Sequence, residues 1–266
     1  MVLSGGAFLF QQNLIVQFYK KLYAGAHNDV KRATLAHDKG VSAMVITIDG
    51  PVASGKSSVA KELARRFGLD HVNTGLLYRV VAYLSVVHHN EMLTIPEDLR
   101  YDFMDGKPVV LWHEIVIDES FLYSPLIDQA ASKLSGDARL RKLLLPIQQC
   151  LAVTHNVIAD GRDCGSVVYP HADVKIFLTA DSMVRARRLM QNKNRHYAGL
   201  SLEEVAHEVL MRDSNDEKRV VAPLVVPVGG VVIDSTTLTL EQTIDAAEAL
   251  ITQVLQIKRV EPGAGE

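Results

Sequence analysis

A glycine-rich loop between a short apolar run and a helical pattern is the feature that most restricts how this chain folds. Residues 44–48 are apolar and partly β-branched, and residues 56–67 carry a helical pattern. The loop fits the pattern GxxxxGK[ST] and consists of Gly50, Pro51, Val52, Ala53, Ser54, Gly55, Lys56 and Ser57. Backbone N–H groups of such a loop face phosphate oxygens, and the start of the next helix favours negative charge. The pattern therefore predicts a phosphate site in the first unit of an α/β fold.

Two side chains of this loop have expected roles. Lys56 would reach the β- and γ-phosphates of ATP, and the Ser57 hydroxyl would ligate Mg²⁺. Ser58 directly follows them, and we include it with the whole loop in the predicted ATP-binding set.

Four further short apolar runs alternate with helical patterns along the chain. They cover residues 69–72, 156–159, 174–178 and 231–233. Such alternation is typical of a buried parallel sheet with helices on both faces. We therefore predict an α/β fold with a doubly wound five-stranded parallel sheet, a small β-containing insert at about residues 96–123 and a helical lid at about residues 185–212. Residues 44–258 would form this domain, between an N-terminal extension (1–43) and a tail (259–266).

The extension has no role that its sequence reveals. It is apolar in residues 8–23, but three polar residues interrupt that stretch at positions 11–13. It lacks a leading positive cluster and a small-residue cleavage site, so we do not predict a signal peptide. An extra helix packed on the core and a weakly ordered extension both stay open, and synthesis could also start at Met44.

Composition excludes several classes of partner. The net charge is −3, so no global basic field attracts nucleic acid. Cys150 and Cys164 form no CxxC motif and have no histidines at metal spacing, which argues against structural zinc and a disulfide framework and fits a reducing cytoplasm. No apolar run reaches the roughly 18 residues that a membrane span needs. We expect a cytoplasmic monomer that binds neither membrane nor nucleic acid.

Charged residues follow the buried run at 156–159. Asp160, Arg162 and Asp163 lie within four positions, at a strand end of the kind where α/β proteins bind ligands. Asp160 would help Ser57 to hold Mg²⁺. The alternative is a plain turn, since Asp-Gly is also a turn signal. A GTPase is disfavoured, because the one Asn-Lys pair, at residues 192–193, lacks the Asp of a base-reading motif.

Three more motifs accompany the glycine-rich loop in a fixed order. They are Asn73-Thr74-Gly75-Leu76-Leu77-Tyr78-Arg79, Asp160-Gly161-Arg162-Asp163-Cys164-Gly165, and Arg212-Asp213-Ser214-Asn215-Asp216-Glu217-Lys218-Arg219 with Ala222-Pro223-Leu224. Together they resemble the cytidylate kinase family over about residues 45–255. The chain departs from that family at Asn73, where Asp is usual, at Asn215, where another Arg is common, and at residues 122–126, which lack the usual Ile-Arg.

The resemblance implies roles for individual residues. Thr74, Arg79 and Arg162 would bind the acceptor phosphate. The pyrimidine-reading set would be Ser132, Arg141, Asp163 and Arg219, and the sugar contacts would be Arg212 and Asp216. Arg185 and Arg188 would belong to a lid over ATP whose flexible part is residues 192–199. Ordinary solvated positions on a helix face are the alternative for these lid arginines.

The activity that this resemblance implies is phosphoryl transfer from ATP to CMP or dCMP with Mg²⁺, in which Lys56, Arg162 and Arg188 are the catalytic residues. Two alternatives stay open. One is a kinase on the same scaffold that acts on another small molecule, and the other is a nucleotide-binding regulator without turnover.

Overall fold

A five-stranded parallel sheet organises the protein. The computed structural model describes residues 43–87, 99–104, 106–191, 197 and 199–260. The strands are β1 (Val45–Asp49), β2 (Asp70–Asn73), β6 (Val157–Gly161), β7 (Val174–Thr179) and β8 (Val231–Asp234). Their order is β2-β6-β1-β7-β8, and every neighbouring pair is parallel. The predicted sheet is confirmed, and the strand that precedes the glycine-rich loop lies at its centre.

Both faces of this sheet are covered by apolar side chains. Val157 and Ala159 of β6 belong to one buried cluster, while Ile158 between them belongs to another with Ile46 and Ile48 of β1. Alternate residues of a strand point to opposite faces, so a continuous apolar run serves both clusters. The short apolar runs that form β1 and β6 are therefore strands buried on both sides.

Seven helices are described beside the sheet. They are α1 (Lys56–Phe67), α2 (Thr74–Val87), α3 (Pro125–Leu134), α4 (Ala138–Thr154), α5 (Ser182–Gln191), α6 (Leu202–Glu217) and α7 (Leu240–Val260). Their starts follow local chemistry. The Ser124 side chain caps α3, which has Pro125 in its first turn, and Ser201 and Glu204 form a capping box on α6.

The helical pattern of the sequence predicts that the helix starting at residue 202 ends at residue 212, and this end is wrong. The helix continues to Glu217 because no glycine or proline interrupts residues 212–217. The third motif therefore lies mostly on the last turns of a helix, where Asp213 and Asp216 are both buried.

The insert is a three-stranded antiparallel sheet. It consists of β3 (Leu99–Met104), β4 (Lys107–Trp112) and β5 (Ile115–Val116). Leu99, Tyr101 and Val110 join the same buried cluster as α2 and α4, so the insert packs on the main domain. The Tyr101 hydroxyl accepts a hydrogen bond from the backbone N–H of Asn73 at 2.9 Å.

Several predictions fall on residues that the structure does not describe. They concern the extension apart from residue 43, the first part of the insert (96–98), most of the flexible part of the lid (192–196 and 198) and most of the tail (261–266). The division of the chain into extension, domain and tail stays a prediction. Among the described helices, none is long and apolar enough to cross a membrane.

Candidate active site at the carboxyl edge of the sheet

A cavity of about 720 Å³ opens where β1, β2 and β6 end. Ligands of open α/β sheets bind at this edge. Eighteen of the predicted site residues line the cavity: Val52, Ala53, Ser54, Gly55, Lys56, Ser57, Ser58, Thr74, Arg79, Ser132, Arg141, Asp160, Arg162, Asp163, Arg188, Arg212, Asp216 and Arg219. Gly50, Pro51 and Arg185 are not part of this lining.

The glycine-rich loop wraps closely around the start of α1. Gly50 has φ +154° and Gly55 has φ +96°. A Cβ atom on Gly50 would lie 2.0 Å from the backbone oxygen of Leu178, so only glycine fits there. The Lys56 Nζ donates to the backbone oxygen of Pro51 at 3.0 Å. Burial, aided by the nearby Arg162, lowers the pKa of Lys56 to about 7. A phosphate bound in the loop would favour the charged ammonium group.

Ser57 and Asp160 meet beside this loop. The Ser57 hydroxyl donates to Oδ2 of Asp160 at 2.6 Å, and Nε2 of His71 lies 2.7 Å from Oδ1 of the same carboxylate. Burial alone would raise the pKa of Asp160, but the contacts with His71, Lys56 and Ser57 hold it below its usual value.

The chemistry of this pair fits a hard cation. A hydroxyl and an ionised carboxylate are oxygen ligands of the kind that Mg²⁺ prefers, usually together with phosphate oxygens and water. Within the described residues, no group of three or more His, Cys, Asp or Glu side chains could hold a metal by itself. The residues present therefore suit a metal that arrives with a nucleotide.

Arg79 is held in place from three sides. Its guanidinium donates to the backbone oxygen of Leu122 at 2.8 Å and to the carboxylate of Asp128, and it lies over the ring of Tyr123, 4.9 Å from the ring centre. Tyr123 occupies the segment in which the sequence lacks the family's Ile-Arg, and it lines the cavity. The guanidinium is thus oriented before any ligand binds.

Asp216 joins two further arginines. Its Oδ2 accepts from Nε of Arg162 at 2.8 Å, and its Oδ1 accepts from Arg219. Although burial acts in the opposite direction, these arginines hold the pKa of Asp216 below its usual value. Arg219 also donates to the Ser135 hydroxyl at 2.7 Å. Asp216 therefore fixes the spacing of two guanidinium groups on the cavity wall.

Asp163 pairs with Arg141, whereas its sequence neighbour Arg162 pairs with Asp216. Arg141 is 6% exposed, donates to the backbone oxygen of Ser135 at 2.8 Å and lies 5.5 Å from the centre of the Tyr78 ring. The Ser135 hydroxyl donates in turn to the backbone oxygen of Ser132 at 2.8 Å. The four residues predicted to read the base, Ser132, Arg141, Asp163 and Arg219, are therefore linked to one another directly or through Ser135.

The two lid arginines have different surroundings. Arg188 lines the cavity and donates to the backbone oxygen of Ser235 at 2.8 Å and to that of Ser54 at 3.3 Å. Arg185 is 5% exposed and donates to the backbone oxygen of Val52 at 3.2 Å and to Asp213 at 2.6 Å. The predicted contact of Arg185 with ATP is therefore not supported by its position. Its guanidinium holds the backbone of the glycine-rich loop at Val52 and is not part of the cavity lining.

Asp49 is a buried carboxylate that the sequence reasoning did not select. It is 0% exposed, and its two oxygens accept hydrogen bonds of 2.7 Å from the backbone N–H groups of Cys164 and Gly165. Burial outweighs these bonds and raises the pKa of Asp49 to about 6. The last residue of β1 thus ties the glycine-rich loop to the loop that carries Arg162 and Asp163.

Thr74 and Gly161 bring α2 and β6 into close contact. The Thr74 hydroxyl donates to the backbone oxygen of Asp160 at 2.9 Å. A Cβ atom on Gly161 would lie 2.4 Å from that hydroxyl and 2.6 Å from Sγ of Cys164. Thr74 therefore supports the main chain at the end of β6.

Five residues of the site were not predicted from the sequence, and the sequence position of only two of them could have indicated a role there. Asp49 directly precedes Gly50 at a predicted strand end, and His71 lies two residues before Asn73 on the same face of a predicted strand. Asp128, Ser135 and Tyr123 belong to segments whose position beside the cavity depends on tertiary packing alone.

Comparison with known proteins agrees with this geometry. A family model described as cytidylate kinase matches residues 46–253. A cytidylate kinase of Chlamydia felis is 38% identical over 218 residues, which cover 79% of this chain and 98% of the relative. A cytidylate kinase of Acholeplasma laidlawii is 36% identical over 211 residues, which cover 77% of this chain and 94% of the relative. A solved shikimate kinase of Bacteroides thetaiotaomicron is a distant likeness, with 14% identity, a TM-score of 0.46 and coverage of 79% of this chain and 98% of that protein. From the family match and the extent of these relatives, we conclude that the chain belongs to the cytidylate kinase family of ATP-dependent nucleotide kinases.

Proposed function

We propose that this protein transfers the γ-phosphoryl group of ATP to the phosphate of CMP or dCMP, giving ADP and CDP or dCDP. The observation that carries the proposal is the arrangement of one cavity. The glycine-rich loop and the two arginines assigned to the acceptor phosphate, Arg79 and Arg162, line this same cavity. Two phosphate-binding regions that face the same space suit a donor and an acceptor nucleotide.

On the donor side, the loop would bind ATP through its backbone N–H groups and Lys56. Arg188 lies next to the loop, where it would neutralise charge on the transferred group. Ser57 and Asp160 would hold Mg²⁺, which supplies neutralisation of phosphate charge when it is bound with ATP. Arg185 would act on the nucleotide through the loop that it supports.

On the acceptor side, Arg79 and Arg162 would hold the monophosphate that acts as nucleophile. Guanidinium groups match phosphate oxygens with paired N–H donors. Both groups are already oriented by Asp128 and Asp216 respectively, so little reorganisation is needed when the substrate binds. The acceptor phosphate is ionised near neutral pH, so the transfer needs no strong general base. Thr74 would line this subsite, and Arg212 and Asp216 would contact the sugar.

Asp163 would read the base. A carboxylate only accepts hydrogen bonds, cytosine offers a 4-amino donor, and uracil has a carbonyl oxygen at that position. Asp163 already accepts a hydrogen bond from Arg141. A carboxylate has about four lone-pair sites, so Asp163 can still accept a hydrogen bond from the amino group of cytosine. A buried polar group left unpaired costs about 1–3 kcal/mol, so we expect a preference for CMP over UMP of about tenfold to a few hundredfold.

A coupled assay of ADP release across CMP, dCMP, UMP, AMP and no acceptor tests the proposal. We expect turnover with CMP or dCMP, slow turnover with UMP and little ADP release without acceptor. Turnover with a different acceptor would replace the proposed substrate. ATP binding without turnover on any of them would instead indicate a nucleotide-binding regulator.

Substitution of Asp163 separates base reading from support of Arg141. In Asp163→Ala, base reading predicts that kcat/KM for CMP falls while that for UMP changes little, so their ratio collapses. Support alone predicts that both values fall together. Asp102→Ala, on the insert strand β3, is the matched control that removes a carboxylate away from the cavity lining.

The oligomeric state and location stay predictions. We propose a cytoplasmic monomer without a nucleic acid or membrane partner. Light scattering of the purified chain measures its mass and so tests whether it is a monomer.

A further inference from the structure

His71 is a polar residue of the site to which the proposed roles assign nothing. It lies on β2, an edge strand of the main sheet, yet its side chain is only 12% exposed. Its Nε2 atom lies 2.7 Å from Oδ1 of Asp160. The imidazole is therefore largely enclosed and directed at the carboxylate that also contacts Ser57.

The register of the sheet explains how the two side chains meet. Asn73 of β2 stands opposite Asp160 of β6, and His71 stands opposite Ile158. Residues two apart on a strand point to the same face, so His71 and Asp160 share a face and lie on adjacent strands. The imidazole reaches Asp160 along the strand direction.

Each oxygen of Asp160 has its own partner. Oδ2 accepts from the Ser57 hydroxyl at 2.6 Å, and Oδ1 faces His71. An ionised carboxylate only accepts hydrogen bonds, so Nε2 is the donor in the second contact. With one oxygen held by the imidazole, rotation of the carboxylate is restricted and the other oxygen stays beside Ser57.

We propose that His71 is a positioning residue that orients the Asp160 carboxylate toward Ser57, so that the pair is preorganised for the Mg²⁺ that accompanies ATP. This rests on the proposed function, because it assumes that Asp160 serves the metal. Side chains that hydrogen-bond to metal ligands orient them, and their loss typically weakens metal binding by about 10–100-fold.

Thr74 does not duplicate this contact. Its hydroxyl donates to the backbone oxygen of Asp160 at 2.9 Å, so it supports the main chain. Lys56 donates to Pro51 in the same region. The position of the Asp160 main chain and the orientation of its carboxylate thus depend on different residues.

Two variants of similar size isolate the hydrogen bond from packing. His71→Leu fills the space without a donor, and His71→Gln keeps an N–H donor at a comparable distance along the side chain. His155→Ala is the control, because it removes an imidazole at the opposite, amino end of β6. Thermal unfolding of each variant reports whether the fold is kept.

The first measurement is calorimetric binding of ATP with and without Mg²⁺, with no acceptor present. In His71→Leu we expect Mg²⁺-dependent ATP affinity to fall about tenfold, while affinity without Mg²⁺ stays within about twofold of wild type. His71→Gln should recover most of the loss, and His155→Ala should match wild type. If His71→Leu weakens ATP equally with and without Mg²⁺, or changes neither, His71 does not position the metal pair.

The second measurement is the Mg²⁺ concentration that gives half-maximal turnover at saturating ATP and CMP. We expect it to rise about tenfold in His71→Leu, with kcat at saturating Mg²⁺ much less affected. An unchanged Mg²⁺ requirement would overturn the inference. Failure of the proposed function would appear differently, as wild-type protein without CMP turnover, because the binding experiment needs no acceptor.

Discussion

Replacement of Asp49 by Asn tests the link between the two loops of the site. The Asp49 carboxylate accepts one N–H bond on each oxygen, from Cys164 and Gly165. Asparagine offers one oxygen and an amide N–H₂, so one backbone N–H would face another donor. An unsatisfied buried donor costs about 1–3 kcal/mol. We therefore expect Asp49→Asn to unfold at a lower temperature than wild type under acidic conditions.

The difference in stability between wild type and Asp49→Asn depends on pH, because burial raises the pKa of Asp49. The pKa of Asp49 is raised from 3.8 to about 6 in the folded state, so the folded protein binds the proton more tightly than the unfolded chain. The resulting stability is fully present below pH 3.8 and is lost as pH rises through about 6. The raised pKa corresponds to about 3 kcal/mol in all, of which roughly 1 kcal/mol is lost between pH 5 and pH 7.5.

Asparagine does not titrate, so the stability difference between wild type and Asp49→Asn should be larger at pH 5 than at pH 7.5 by roughly 1 kcal/mol. Urea unfolding of both proteins at the two pH values measures it, and other titrating groups cancel in the difference. A difference that is independent of pH, or larger at pH 7.5, would refute the reasoning. Turnover of Asp49→Asn should also fall, since the acceptor loop loses one of its two bonds to β1.

Three further predictions concern space, accessibility and the extension. Gly161→Ala should lower both thermal stability and turnover, because the added Cβ would lie 2.4 Å from the Thr74 hydroxyl. The control Gly136→Ala places its Cβ 3.4 Å from the nearest neighbouring atom and should change stability and turnover little. In native protein a thiol reagent should modify the exposed Cys150 and spare Cys164, which is 0% exposed and whose pKa is raised by burial. Rapid labelling of the Cys150→Ser variant, in which Cys164 is the remaining thiol, would contradict this. A fragment of residues 44–266 should keep turnover, because every cavity-lining residue in the described part of the chain follows residue 51. An inactive or insoluble fragment would show that the extension is required.

Short apolar runs predicted the five strands of the main sheet, of which β1 and β6 are buried on both faces, whereas the edge strand β8 is largely exposed. The sequence also carries helical patterns over residues 125–134 and 182–191, and both segments form helices with those bounds, while the strand bounds differ by one or two residues. Within the predicted insert, the sequence pattern indicates β structure only from residue 102 to residue 118, so the start of β3 at Leu99 was missed, since its alternating polar residues do not form an apolar run. The glycine-rich loop was predictable in full, because its chemistry lies within eight consecutive residues.

Partner choice within the site could not be predicted from the sequence. Arg185 pairs with Asp213 because α5 packs on α6, and Asp163 pairs with Arg141 because the loop after β6 meets α4, and neither contact is visible in the motifs themselves. The role of His71 depends on the register between β2 and β6, which joins residues 89 positions apart. Sequence motifs indicate which residue types gather at a strand edge, whereas the pairs that form there depend on tertiary structure.

The pairing of arginines on the acceptor side has a consequence for how a nucleotide reaches the site. Four guanidinium groups, of Arg79, Arg141, Arg162 and Arg219, pair with the carboxylates of Asp128, Asp163 and Asp216. With Arg212, which also lines the cavity, five positive charges meet three negative ones, so the excess is two. A surface with so small a charge excess attracts anions weakly beyond a Debye length of about 10 Å. Association of the acceptor should therefore depend little on ionic strength. Free inorganic anions should compete poorly for this wall, because they bring charge without the base and sugar contacts that hold a nucleotide there.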